Sequence, residues 1–151
     1  MELTAILAPE SVSMLAPGAS KKKVLEVISE LASRQCPQID AAAAFDSMLA
    51  RERLGSTGIG NGIALPHGRL AGTDKTVAVA IKLAQPIDFG AIDNQPVDLL
   101  IALLVPQEQC QSHLSTLASI ARRLSEKETV RRLRHAADDT ELYQILTEAN
   151  P

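Results

Sequence analysis

Between residues 21 and 35 the chain reads KKKVLEVISELASRQ, where Val24, Ile28 and Leu31 recur at the spacing that gathers apolar side chains on one helical face. Ser20 stands where a helix cap is needed, and Cys36-Pro37 halts the run. The same logic predicts a second helix over 41–54, AAAAFDSMLARERL, capped by Asp40 and ended by Gly55. Arg51 and Glu52 fall in its last turns.

The pattern then changes period. SVSML (11–15) alternates polar and apolar residues like a short strand, and APGAS punctuates it. TVAVAIKL (76–83) sets Val77, Val79, Ile81 and Leu83 on one face with period two. VDLLIALLV (97–105) is apolar on both faces, as a central buried strand must be, and Pro106 terminates it. Asn61-Gly62 is a turn signal, after which IALP (63–66) reads as a short strand ending at His67. In the tail, Leu114, Leu117, Ile120 and Leu124 form one helical stripe, and Val130 and Leu133 another. DDTELYQIL opens with an Asp138-to-Glu141 spacing that resembles a capping box. Together these elements predict a single α/β domain, a mixed sheet flanked by helices.

Composition narrows the function. A chain of 151 residues that is 46% hydrophobic suits one domain with a proper core. A formal charge of -3 and an aromatic content of 2% supply neither the cationic field nor the stacking platforms that nucleic acid requires. The longest unbroken apolar run, Leu99 to Val105, is too short to span a bilayer, and MELTAILAPE offers no basic leader, so a cytoplasmic protein without membrane insertion is expected. Two cysteines, Cys36 and Cys110, are too few for a disulfide framework. The lysines 21–23 and Arg122, Arg123, Arg131, Arg132 and Arg134 read as solvated helix faces.

The candidate chemistry lies in GSTGIGNGIALPHGR, residues 55–69. A Walker loop would need lysine where Asn61 stands, and a dinucleotide fingerprint would need a helix where a strand follows. A nucleophile elbow is absent as well. Glycines can turn successive N–H groups into one concavity that binds anions, so Gly58, Gly60 and Gly62, with the Ser56 and Thr57 hydroxyls, are candidate phosphate binders. His67, framed by Pro66 and Gly68, is a candidate nucleophile for a covalently carried phosphoryl group, and Arg51 could grip its oxygens. His113, near the start of the helix after Pro106, could donate to the same phosphate. A zinc site from His67, Cys110 and His113 lacks a fourth ligand. On the residues alone, an ordinary turn and a structural histidine stay open beside this reading.

Glu52, six residues, Ile59-Gly60, two residues, then Ile63-Ala-Leu-Pro-His-Gly68 resembles the signature of type-2 enzyme IIA domains of the bacterial phosphotransferase system, the fructose/mannitol class. GSTGIGNGIALPHG, AIDNQPVDLLIALLVP and HLSTLASIARRL resemble its nitrogen-regulatory branch, and the likeness runs from residue 3 to 148. The resemblance implies a mixed five-stranded sheet with helices on both faces, phosphorylation of His67 on Nε2, and Arg51 and His113 beside it. It also implies a donor, the phosphocarrier NPr, and regulated partners such as potassium transport proteins or sensor kinases. Neither metal nor other cofactor is implied for this step. The absence of room for a fused IIB domain after the last helix fits a regulatory role. A free-standing sugar-specific IIA passing phosphate to a IIB domain, and a IIA-like binding module that no longer carries phosphate, are the alternatives.

Overall fold

The computed structural model describes residues 3–108 and 110–148, the side chains of residues 110–113 excepted. A short helix α1 (Leu3–Ile6) leads into strand β1 (Leu7–Leu15), followed by α2 (Lys21–Gln35) and α3 (Ala41–Leu54). Next come β2 (Gly58–Gly60), β3 (Ile63–Ala64), β4 (His67–Leu70), β5 (Val77–Ile87) and β6 (Val97–Pro106). Helices α4 (Cys110–Arg123), α5 (Lys127–Arg134) and α6 (Asp139–Thr147) follow.

Helices α2, α3 and α6 start where their caps dictate. The Ser20 hydroxyl accepts from Lys23 N at 3.1 Å and the Asp40 carboxylate from Ala43 N at 3.0 Å, each satisfying an N–H that a helix start leaves without a partner. At α6, Asp138 accepts from Glu141 N at 2.8 Å while the Glu141 carboxylate accepts from Ala137 N at 3.2 Å. That return bond reaches one residue before the cap, a variant of the capping box.

The sheet runs β1-β5-β6-β3-β2, with β4 also paired to β6. β1 with β5 and β6 with β3 are parallel, whereas β5 with β6 and β2 with β3 are antiparallel, so the sheet is mixed. β3 and β4 keep one register against β6, Ile63 opposite Leu99 and His67 opposite Leu103. They form one strand interrupted at Leu65-Pro66, its β3 half covered by β2 and its β4 half at the sheet edge, which makes the six-stranded sheet five-stranded when the two are read together. The expected end of the strand at His67 is therefore corrected, because the strand resumes there and runs to Leu70. Pro66 causes the break, having no N–H for a ladder, while its carbonyl still accepts from Leu103 N at 2.9 Å.

Two apolar layers sandwich this sheet. On one face Val24, Leu25 and Ile28 of α2 and Met48 of α3 pack with Val77, Val79, Ile81 and Leu83. On the other, Ile120, Leu124, Leu133, Leu142 and Ile145 pack with Ala78, Ala80, Leu99, Ile101 and Leu103. β6 is buried on both faces, as its unbroken apolar run predicts. Leu114 departs from its expected stripe, standing 65% exposed on the first turns of α4. Three basic residues also depart from the solvated reading: Lys21 pairs with the buried Glu52 at 2.8 Å, Arg123 is half-buried and donates to the Ile145 carbonyl at 2.8 Å, and Arg134 pairs with Asp98 at 3.0 Å and donates to the Asn61 carbonyl. Among the described residues no helix is long and apolar enough to cross a membrane.

Candidate functional site

His67 opens β4 at the exposed edge of the sheet, and the two-residue period of a strand sends His67 and Arg69 to the same face. Gly68 and Leu70 face the opposite layer, where α3 lies. A Cβ on Gly68 would stand 2.9 Å from Ser47 Cβ and 3.3 Å from Met48 N, so only glycine lets α3 settle this closely on the strand. That approach, tied by Ser47 Oγ donating to the Arg69 carbonyl at 3.1 Å, carries the C-terminal half of α3 to the histidine. A cavity of about 780 Å³ opens between α3, β4 and the start of α4, lined by Ser47, Ala50, Arg51, Leu54, His67, Gly68, Arg69, Gln107 and Leu114.

The imidazole is held in one tautomer. Nδ1 lies 2.9 Å from the Leu65 carbonyl oxygen, and a carbonyl can only accept, so Nδ1 carries the proton and Nε2 carries the lone pair. Burial pushes the proton affinity of His67 below its ordinary value; the Leu65 hydrogen bond opposes this, the Arg51 charge adds to it, Glu52 opposes it and Arg69 adds to it. The net direction is downward, which leaves the ring neutral and its Nε2 nucleophilic near neutral pH. Two guanidinium groups therefore act on one neutral imidazole. Such a constellation suits an incoming group with several negative oxygens.

The glycine loop has a different occupation. Thr57 N donates to the Glu52 carboxylate at 3.1 Å and the Thr57 hydroxyl donates to the same group. Ser56 Oγ donates to the Phe89 carbonyl at 2.8 Å and accepts from Gly58 N at 3.0 Å. Asn61 N donates to Asp93 at 3.0 Å, between Gly60 and Gly62, whose φ angles of 100° and 79° make the tight turn possible. Gly62 sits against Arg134 and Asp98. The Thr57 and Asn61 N–H groups do bind anions, but the anions are the protein's own Glu52 and Asp93 carboxylates.

Of the residues singled out by sequence, His67 and Arg51 thus meet in the cavity, and Ser56, Thr57, Gly58, Gly60 and Gly62 do not line it. The side chain of His113 lies outside the described residues; its chain neighbour Leu114 lines the cavity. Arg51 itself donates to the Gly55 carbonyl at 2.8 Å. Sequence reasoning passed over Arg69, because its two-residue spacing from His67 places it on the same face only once residues 67–70 are known to be a strand. Gln107 and the exposed Leu54 carried no comparable signal, since their placement depends on how α3 and β6 end.

Residues 5–149 match the family model described as phosphoenolpyruvate-dependent sugar phosphotransferase system, EIIA 2. The chain is similar to a nitrogen regulatory protein of Klebsiella oxytoca, 51% identical over 150 residues, covering 99% of this chain and 92% of that protein. It is also similar to the crystal structure of nitrogen regulatory protein IIA-Ntr from Neisseria meningitidis, with TM-score 0.87, 35% identity, and coverage of 96% and 99% of the two chains. The mannitol IIA of Escherichia coli shares the fold at 23% identity and TM-score 0.73, over 92% of this chain and 97% of that one.

Proposed function

The chain belongs to the EIIA type-2 family of the phosphoenolpyruvate-dependent sugar phosphotransferase system, matching its nitrogen-regulatory IIA-Ntr members, and from that premise we propose that His67 accepts the phosphoryl group. Family membership carries phosphotransferase-type activity in general. The finer reading is of a regulatory phosphoprotein, charged by the phosphohistidine of the carrier NPr, that binds target proteins according to its phosphorylation state.

The observation that carries this reading is the locked Nδ1–H tautomer of a neutral His67 flanked by Arg51 and Arg69. In the transfer step the Nε2 lone pair forms the new N–P bond as the donor's N–P bond breaks in line. The donor imidazole, protonated on its other nitrogen, leaves neutral. The accepting ring gains positive character and retains its proton on Nδ1, where the Leu65 carbonyl meets it. No separate base is required, because the attacking nitrogen carries no proton. Arg51 and Arg69 act by pre-placed charge, which stabilises the equatorial oxygens without reorganisation during transfer.

The added charge explains how such a protein can signal. A phosphoryl group brings roughly -1.5 to -2 charge to a rim that otherwise presents cationic and apolar groups. Incubation with the phosphorylated carrier should add one acid-labile phosphoryl group to the wild-type chain and none to His67→Ala. Undiminished labelling of that variant refutes the proposal.

A further inference from the structure

An ion pair outside the cavity reaches His67 through an unbroken series of hydrogen bonds. Lys21 Nζ, at the first residue of α2, stands 2.8 Å from Glu52 Oε2 and donates to the Phe89 carbonyl at 3.0 Å. Its ammonium also lies 4.3 Å from the centroid of the Phe89 ring. The Glu52 side chain is only 3% exposed, and Thr57 N donates to it at 3.1 Å. The Thr57 carbonyl accepts from Leu65 N at 3.0 Å, and the Leu65 carbonyl meets His67 Nδ1 at 2.9 Å. The series thus crosses from α2 to α3, to the loop, to the broken edge strand, and ends on the imidazole.

We infer that Lys21 and Glu52 are positioning residues for His67, pinning Thr57 and, through the Thr57 and Leu65 carbonyls, fixing the tautomer and the aim of Nε2. This rests on the reading of His67 as phosphoryl acceptor, and extends it to two side chains that do not line the cavity. A carboxylate this buried keeps its charge only with a cation and hydrogen bonds around it. Without Lys21 the buried Glu52 carboxylate has lost its cation and turns toward water, which loosens its hold on Thr57. The carbonyl of Leu65 then shifts relative to Nδ1. Free imidazole in water favours the proton on the other nitrogen, so a loosened His67 drifts toward the Nε2–H form, which cannot attack.

The test compares the wild-type chain with Lys21→Met, Lys21→Arg and Lys23→Met, the last removing a lysine of the same helix whose own pairing with Glu26 is exposed. Two-bond ¹⁵N–¹H correlation spectra at pH 8 report the tautomer of His67 with no phosphoryl donor present. Single-turnover transfer from the phosphorylated carrier is measured alongside. Lys21→Met should move the tautomer ratio severalfold toward Nε2–H and slow transfer roughly ten- to hundredfold, the scale expected when a reacting atom is misplaced by ~1 Å. Lys21→Arg should restore both, and Lys23→Met should match the wild type. A folded Lys21→Met protein with wild-type tautomer and rate overturns the inference, as does an equal effect from Lys23→Met. Should Lys21→Met fail to fold, Glu52→Gln, which replaces the charged acceptor of Thr57 and Lys21 by a weaker neutral one, should shift tautomer ratio and rate in the same direction, and wild-type values for both overturn the inference. Absence of transfer to the wild-type chain would refute the acceptor reading alone, because the tautomer is read independently of it.

Discussion

Adding one methyl group at Gly68 should displace the helix that delivers Arg51 and so couple a packing defect to the chemistry. A Cβ there would lie 2.9 Å from Ser47 Cβ and 3.3 Å from Met48 N. Carbon atoms rest at about 3.5–4.0 Å, so relief by movement of α3 alone requires a retreat of roughly 0.6–1.1 Å. Overpacking of this kind costs about 1–3 kcal/mol. Stretching the Ser47–Arg69 hydrogen bond, which is exposed, adds about 0.5 kcal/mol at the low end of the usual range. A retreat of ~1 Å also carries Arg51 away from His67, with a kinetic cost on the order of 10²-fold at the upper end. Urea unfolding of Gly68→Ala and its single-turnover rate of phosphoryl acceptance measure the two effects. Ser47→Gly removes both Ser47 contacts, at about 0.5 kcal/mol in helix propensity, and should rescue Gly68→Ala with a coupling energy of about 1–2 kcal/mol. Wild-type stability and rate in Gly68→Ala, or simple additivity in the double variant, would refute the close-approach argument.

Two further outcomes follow from the electrostatics. Because burial lowers the proton affinity of His67, its NMR titration should centre below the ordinary value of about 6.5, and phosphoryl acceptance should stay level down to that pH and fall below it. The sign for stability agrees: a histidine whose folded-state value is depressed contributes fully above its unfolded value, and that contribution fades as pH falls through the folded one. A titration centred above 6.5 contradicts the burial argument. Arg51→Ala should slow transfer by about 10²–10³-fold, the cost of losing one pre-placed donor, and raise the His67 titration midpoint. Arg51→Lys, which keeps the charge and loses the planar fork, should fall between; rates equal to wild type in both would remove Arg51 from the transition state.

Much of the fold was legible because local signals and burial agree. α2 and α3 begin and end at the residues their caps predict, and the two-faced burial of β6 follows from its apolar run. β1 exceeds its expected span, starting at Leu7, which pairs with Ala78, and passing through Pro9 in an irregular stretch before the regular pairing with β5 resumes at Val12. β4 was hidden because HGRL has little strand character of its own and is defined by its register on β6. At the site, His67 and Arg51 were singled out from nucleophile chemistry and family resemblance, and the structure brings both to one cavity. The loop was read as an anion nest for an outside phosphate, whereas Thr57 N and Asn61 N, beside its glycines, donate to the protein's own Glu52 and Asp93, which sequence spacing does not tell. Likewise Lys21 looked solvated in sequence because its partner is 31 residues away across two helices.

The interrupted edge strand has a further consequence for how any partner can meet this protein. An exposed sheet edge invites another chain to add itself as a strand, sealing a long-lived complex through main-chain bonds. Here, on the outward side of that strand, the Leu65 N–H is covered by the Thr57 carbonyl, the Leu65 carbonyl by His67 Nδ1 and the Arg69 carbonyl by Ser47. The histidine is thus displayed on an edge part of whose outward backbone is already occupied, which hinders strand addition. Visitors engage it mainly by side chains, which favours brief encounters and lets one small surface serve a succession of partners.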